Sequence, residues 1–349
     1  MRVLVIGGTG FIGAPVVRRL QALGGEVTVL HRGRAAAALP PGVRSLLGDR
    51  AALPARRAEL RRLAPAVVLD MIAMTAADAR ATLAAVDGLA ERLVVISSAD
   101  VYRAQARLHR REPGPPDPVP LTETAPLRAT RYPERGPTPR PPDDPQRWLD
   151  DYDKLLVEAA VQGAAGLAVT ILRLPAVYGP GDAQHRLFGY LKRMDDGRPA
   201  ILLDAGLAGW RWTRGYVENV AAAIALAVLD GRAAGRVYNA GEVPALTEAA
   251  WVRAIGAAAG WRGAVVALPP ARLPAHLATP LATEQDWVLD TRRLRAELGF
   301  AEPVAFAEGL RRTVAWQRAH PPAALDPARF AYATEDAALA AGGWTALPG

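Results

Sequence analysis

"RVLVIGGTGFIGAPVVRRL", residues 2–20, decides the fold. Its first five residues, Arg2 to Ile6, run almost wholly in Val, Leu and Ile, as in a strand buried on both faces. Glycines follow at once, at positions 7, 8, 10 and 13, and the stretch then continues with a helical pattern. Gly7, Gly10 and Gly13 give a G-x-x-G-x-x-G spacing, and Gly8, Gly10 and Gly13 fit the general dinucleotide fingerprint. Glycine permits the tight turn and lets backbone amides approach a pyrophosphate, which then sits at the positive end of the helix dipole. Strand, turn and helix in this register predict dinucleotide binding.

Working outward, "EVTVLHR" (26–32), "VRSLLGD" (43–49), "AVVLDMIAM" (66–74) and "RLVVISS" (92–98) read as further buried strands. Helical patterns lie between them, as in "DARATLAAVDGLAER" from Asp78. Such alternation predicts an α/β fold, a Rossmann-type doubly wound parallel sheet covered on both faces. Residues 103–147 are so rich in proline that they hold no long helix or central strand. A surface excursion and a loop covering an active site both fit that stretch. Then come a helix near 150–158, a strand and turn in "LAVTILRLPAVYGPGD" (167–182), a helix over 216–231 and a short strand over 236–241. Capped helices are expected over 247–260, behind Thr247, and over 291–300. From Pro321 the tail reads as surface packing. The expected organisation is a Rossmann domain over 1–180, with the proline-rich loop inside it. A smaller C-terminal substrate-binding domain covers 181–349, with segments near 210–245 returning to the first.

Composition is that of a globular protein, with 50% apolar and 22% charged residues. No apolar run is long enough to cross a bilayer, and the apolar start has no cleavage region, so a cytoplasmic enzyme is the simplest expectation. The chain has no cysteine, which excludes disulfides and thiolate chemistry. A net charge of +7 raises nucleic-acid binding, but the arginines are dispersed over different predicted helices, which argues against it. No spacing of histidines and carboxylates suggests a metal. No G-x-S-x-G elbow suggests acyl transfer.

The end of the second strand chooses between dinucleotides. A carboxylate there grips the ribose hydroxyls of NAD. This chain has His31, Arg32 and Arg34 instead, and guanidinium suits a phosphate, so NADP is expected rather than NAD.

Taken together, "GGTGFIG", "GDR" (48–50), "VVISSADVY" (94–102), "DKLLVE" (153–158), "RLPAVYGPGD" (173–182), "YVENVA" (216–221) and "LGF" (298–300) resemble the extended short-chain dehydrogenase/reductases. Within that superfamily the likeness is to the NAD-dependent epimerase/dehydratase family, closest to its atypical members with tyrosine-rich "YDYDK" helices. The resemblance implies a cofactor site made of Gly7, Thr9, Gly10, Phe11, Ile12 and Gly13, of His31, Arg32, Asp49 and Arg50, and of Ile72, Ala73 and Ser97. Asp49 is expected on the adenine, Leu174 and Pro175 by the nicotinamide, and Lys154 on its ribose. Ser98 falls on the family's catalytic serine. Tyr102, His185, Arg211 and Arg214 are implied on the substrate side, in part because arginine clamps phosphate or carboxylate.

The family's proton donor is a tyrosine four residues before the lysine, a spacing that shares one helix face. Counting back from Lys154 gives Asp150. Tyr152, two residues away, faces about 200° around a continuous helix. Three readings stay open. Asp150 is an ionised acid/base beside Lys154, better suited to proton abstraction than to carbonyl reduction. Alternatively Tyr102, Tyr178, or Tyr152 through a distorted helix, supplies the proton. In the third, Asp150 and Lys154 are only an ion pair and no hydride moves.

The expected function is an NADP-dependent oxidoreductase or epimerase-type enzyme acting on a polar carbonyl or hydroxyl compound, sugar-derived by resemblance. Its partner is that small molecule, neither membrane nor nucleic acid, with a homodimer left open. Two other classes compete: a non-redox lyase, cyclase or isomerase, and a non-catalytic dinucleotide-binding regulator or RNA-associated protein on the same fold.

Overall fold

The computed structural model describes residues 1–33, 39–164, 166–342 and 344–347, so Arg34 lies outside the described residues. The strands are β1 (Arg2–Ile6), β2 (Glu26–His31), β3 (Arg44–Leu47), β4 (Val67–Asp70), β5 (Arg92–Ser98), β6 (Ala168–Leu174), β7 (Ala176–Tyr178), β8 (Ala200–Asp204), β9 (Arg214–Tyr216), β10 (Val237–Asn239), β11 (Ala264–Leu268) and β12 (Thr345–Ala346). The helices are α1 (Gly13–Ala22), α2 (Arg57–Leu63), α3 (Ala76–Val86), α4 (Arg103–Leu108), α5 (Lys154–Gln162), α6 (Phe188–Asp195), α7 (Ala205–Gly209), α8 (Val217–Leu229), α9 (Glu248–Ala259), α10 (Arg292–Leu298), α11 (Phe306–Ala319) and α12 (Tyr332–Ala340).

Seven strands form the main sheet in the order β10-β6-β5-β4-β1-β2-β3, and every pair is parallel. The period of two in each strand builds a core on each face. Val3, Val5, Val27, Val29, Val94 and Ile96 meet α1 and α8 on one side. Leu4, Ile6, Val68, Leu93, Val95 and Ile171 meet Leu53, Leu60, Val157 and Val161 on the other. Chain order reverses between β1 and β4, which opens a crevice beyond their carboxyl ends.

Past β6 the chain departs from a simple repeat. Pro175 ends β6, and β7 leaves the main sheet to pair with β9. A second small sheet, β12-β11-β8, stands apart, while β10 returns to the edge of the main one. α9 is capped by the Thr247 hydroxyl, which accepts from Ala250 N at 3.2 Å, and ends in left-handed Gly260. α10 starts differently: Asp290, not Thr291, accepts the first amide, from Arg292 N at 2.9 Å.

Residues 109–146 hold no helix or ladder strand, as their prolines require. The expectation of a tail that only packs on the surface is corrected. Glu335 of α12 is buried and holds Arg193 of α6 at 2.7 Å, and β12 extends the small sheet. Among the described residues no helix is long and apolar enough to cross a membrane.

Candidate active site

The glycine turn sits at the end of β1, under the first turn of α1. Gly7 is left-handed, and a Cβ there meets Ile72 at 2.6 Å. A Cβ on Gly13 meets the Gly7 carbonyl oxygen at 2.5 Å, so only glycine lets the helix start this close to the strand. A Cβ on Gly10 meets nothing within 4 Å: this is the open lip of the turn. Ile12 opens α1 without a side-chain cap, and the first turn carries no carboxylate. No side chain therefore competes with a diphosphate for the helix dipole, and the cradle fits a dinucleotide. Phe11 leans toward Gly181 in the turn after β7, and Thr9 and Ile12 flank the crevice. Leu174 pairs with Ser98 at the sheet's carboxyl edge, with Pro175 next to it.

At the end of β2, His31 is fixed by its own turn, its ring 2.8 Å from the Ser45 hydroxyl and accepting from Gly33 N at 3.2 Å. Arg32 is exposed and only 3.9 Å from Asp49, which caps the next turn through Ala51 N. Arg50 was expected to face the cofactor. Its guanidinium instead turns inward onto Asp70 at 3.0 and 3.1 Å, onto Asp78 and onto Thr82. Fully buried Asp70 demands that cation, and it also accepts Ile72 N.

The expectation that Asp150 and Lys154 share one helix face does not hold. Residues 147–151 make a separate 3-10 turn, Tyr152 and Asp153 are extended, and α5 begins at Lys154. Asp153 caps it, accepting Leu155 N at 3.0 Å. Asp150 lies outside the helix and binds Arg140, through the Arg140 amide at 2.8 Å and its guanidinium. The Arg140 amide above all, then its guanidinium, holds that carboxyl below the usual range.

The same break in the helix turns Tyr152 around. Its hydroxyl donates to the Asp100 carboxylate at 2.5 Å, beside Ser98, whose Oγ accepts from Asp100 N at 3.2 Å. Burial, then the charge of Asp100, pushes the phenol well up, while the Ser98 hydroxyl and Arg128 oppose this. Asp100 Oδ1 is buried with no hydrogen-bond partner among the described residues. Lys154 lies beneath, 4% exposed, donating to the carbonyls of Ala73 at 2.7 Å and Ile96 at 3.0 Å. Burial brings its ammonium down to about 8, with Asp100 and Asp70 pulling the other way. Arg128, from the proline-rich excursion, ties the two halves together. It donates to Asp100 O at 2.9 Å and to Asp153 at 2.6 Å.

Two other expectations are corrected by strand geometry and burial. Ser97 points to the opposite face from Ser98, and its hydroxyl donates to buried Glu158 at 2.5 Å. Tyr102 is fully buried; its hydroxyl donates to Asn239 at 2.6 Å and accepts from Arg173 at 3.0 Å, so it is a strut.

Next to this site is a cavity of about 610 Å³ walled by α6, β9, the start of α9 and the tail around 322–330. His185, with φ of 48°, stacks on Trp316 and lines it, as does Arg214. Arg211 does not line it: it pairs with Asp286 on the surface. Trp212 in the cavity wall stacks on Trp287 at 5.6 Å, and the Trp287 indole donates to Ala99 O at 3.3 Å, between Ser98 and Asp100. The stacked pair thus stands between the cavity and Ala99, and none of Ser98, Asp100, Tyr152 and Lys154 lines the cavity. Sequence reading missed Asp100, although it stands inside "SSADVY", and it missed Arg128, Trp287 and Glu248, whose roles depend on distant partners.

Residues 3–93 and 129–241 match the model of the NAD dependent epimerase/dehydratase family. A 2'-dehydrokanamycin reductase of Streptomyces kanamyceticus is 35% identical over 244 residues, 67% of this chain and 60% of that protein. A 3-diazoavenalumate denitrifying reductase of a Streptomyces species is 27% identical over 92% of this chain and 97% of its own length. Among solved structures, UDP-glucose 4-epimerase of Thermus thermophilus in complex with NAD superposes with a TM-score of 0.63. It is 26% identical, over 92% of this chain and all of that one.

Proposed function

Because the chain belongs to the NAD-dependent epimerase/dehydratase family, we propose that it is an NADPH-dependent reductase of a carbonyl group on a sugar-type compound. The observation that carries this reading is the Tyr152 phenol, held 2.5 Å from Asp100 and beside Ser98. A bound dihydronicotinamide supplies the hydride. Ser98 and Tyr152 orient the carbonyl oxygen, and Tyr152 gives it a proton. In this reading Lys154 holds the nicotinamide ribose and stabilises the phenolate left behind. Two of the relatives bear the name reductase, which supports the direction chosen. The test is loss of NADPH absorbance with carbonyl-bearing glycosides, in wild type and in the Tyr152 variant of the Discussion. No turnover with any of them defeats the reading.

Burial and, after it, the charge of Asp100 keep Tyr152 protonated. Replacing it by asparagine removes the negative charge but keeps an acceptor. The Asp100→Asn enzyme should lose reductive activity at a lower pH than wild type, its alkaline limb displaced downward. The sign follows from losing an anion that disfavours phenolate. An unmoved limb means that Tyr152 does not titrate against Asp100.

The cofactor preference rests on the absence of a carboxylate from the described end of β2 and on exposed Arg32. Arg32→Ala should weaken NADPH about tenfold and leave NADH unchanged, read by fluorescence titration. Equal loss for both cofactors rejects the assignment and favours NAD, which the Thermus enzyme binds.

A further inference from the structure

At the opposite end of the main sheet from the glycine turn lies a second hollow, of about 560 Å³. Parallel pairing brings the first residues of three strands to this edge: Arg2 of β1, Glu26 of β2 and Arg44 of β3. Arg2 stands in register with Glu26, and Arg44 with Thr28. The alternation of strand side chains therefore puts all four on one face of the sheet. That is the face where Leu4 meets Leu60 of α2, and Arg62 from the last turn of α2 completes the wall.

Arg2, Arg44 and Arg62 are exposed, and among the described residues none of their guanidinium groups has a hydrogen bond or a carboxylate partner. Glu26 lines the same hollow and is in no ion pair either, although it stands directly across from Arg2. No residue outside the described ones carries an acidic side chain. Other exposed arginines do take carboxylates: Arg232 holds Asp230 at 2.6 Å, Arg292 holds Asp290 at 2.5 Å, and Arg312 holds Glu308 at 2.6 Å. Three guanidinium charges against one carboxylate leave the hollow with a surplus of positive charge.

Guanidinium presents a fork of donors that pairs with oxyanions two bonds at a time. The lining contains no aromatic ring, so nothing there stacks on a nucleobase. We propose that this hollow is a second anion site, taking a compact compound with two or more phosphate groups and no base. It is separate from the cofactor crevice. The six residues of β2 run from Glu26 at the hollow to His31 at the crevice, about 16 Å of strand. The proposal does not depend on the reductase reading.

Calorimetry with inorganic tripolyphosphate on the NADPH-saturated protein, whose glycine turn is already filled, tests it. One tripolyphosphate should bind per chain. Arg44→Ala and Arg62→Ala should each weaken it about tenfold, the loss of one charge-assisted pair. Both positions are exposed, so the variants should fold, and their NADPH affinity should match the parent's. Arg262→Ala removes an arginine that is exposed and in no ion pair among the described residues, but lies outside the hollow. It should leave binding unchanged. Equal weakening by Arg262→Ala reduces the effect to net charge and overturns the proposal. So does release of NADPH by tripolyphosphate, which places the anion in the glycine turn, and so does absence of binding by the wild type.

Discussion

Tyr152→Phe should lower kcat for carbonyl reduction by about 10²- to 10⁴-fold, the usual worth of a positioned acid. The ring and its edge contact with Trp148, at 6.0 Å between centroids, are kept, so the fold and NADPH affinity should be preserved. Only the hydroxyl 2.5 Å from Asp100 is lost. Asp150→Ala should leave kcat near the parental value, because that carboxylate is bound to Arg140 outside the helix. Steady-state kinetics of the two variants side by side decide the matter. Should Asp150→Ala be the dead enzyme and Tyr152→Phe the active one, the assignment is reversed.

Arg128→Met should destabilise the protein by about 3 to 5 kcal/mol in urea denaturation, the cost of leaving one member of a buried ion pair alone. The Arg128 and Asp153 side chains are both 0% exposed. Asp153 cannot easily be spared its partner, since it also accepts Tyr132 N at 2.9 Å and caps the helix that starts with Lys154. Adding Asp153→Asn to Arg128→Met should recover part of the loss, because the stranded charge is then gone. A loss in the single variant no larger than that of an exposed ion pair, under about 1 kcal/mol, shows that water reaches the site.

The parts of this molecule that were legible in the sequence are those fixed by local rules. Val3 to Ile6 and Val94 to Ile96 announce themselves by apolar continuity, and Gly7 and Gly13 by where glycine alone fits. Lys154 stood out because the chain has only two lysines. The error at Asp150 came from applying helix arithmetic across a helix boundary. Asp153 before "KLLVE" is itself a capping signal, and taking it as one places both Asp150 and Tyr152 outside the helix. Ser97 could likewise have been set aside, since neighbouring strand residues face opposite ways. Other contacts had no local signal. Arg128 meets Asp153, and Arg193 meets Glu335, across long stretches of chain, and the charged, alanine-rich tail reads like any solvated end.

One contiguous stretch of that tail, from Pro322 to Phe330, closes the cavity without touching the glycine cradle or the Tyr152 neighbourhood. Exchanging that one stretch would therefore reshape the cavity while leaving the glycine turn and the surroundings of Tyr152 as they are.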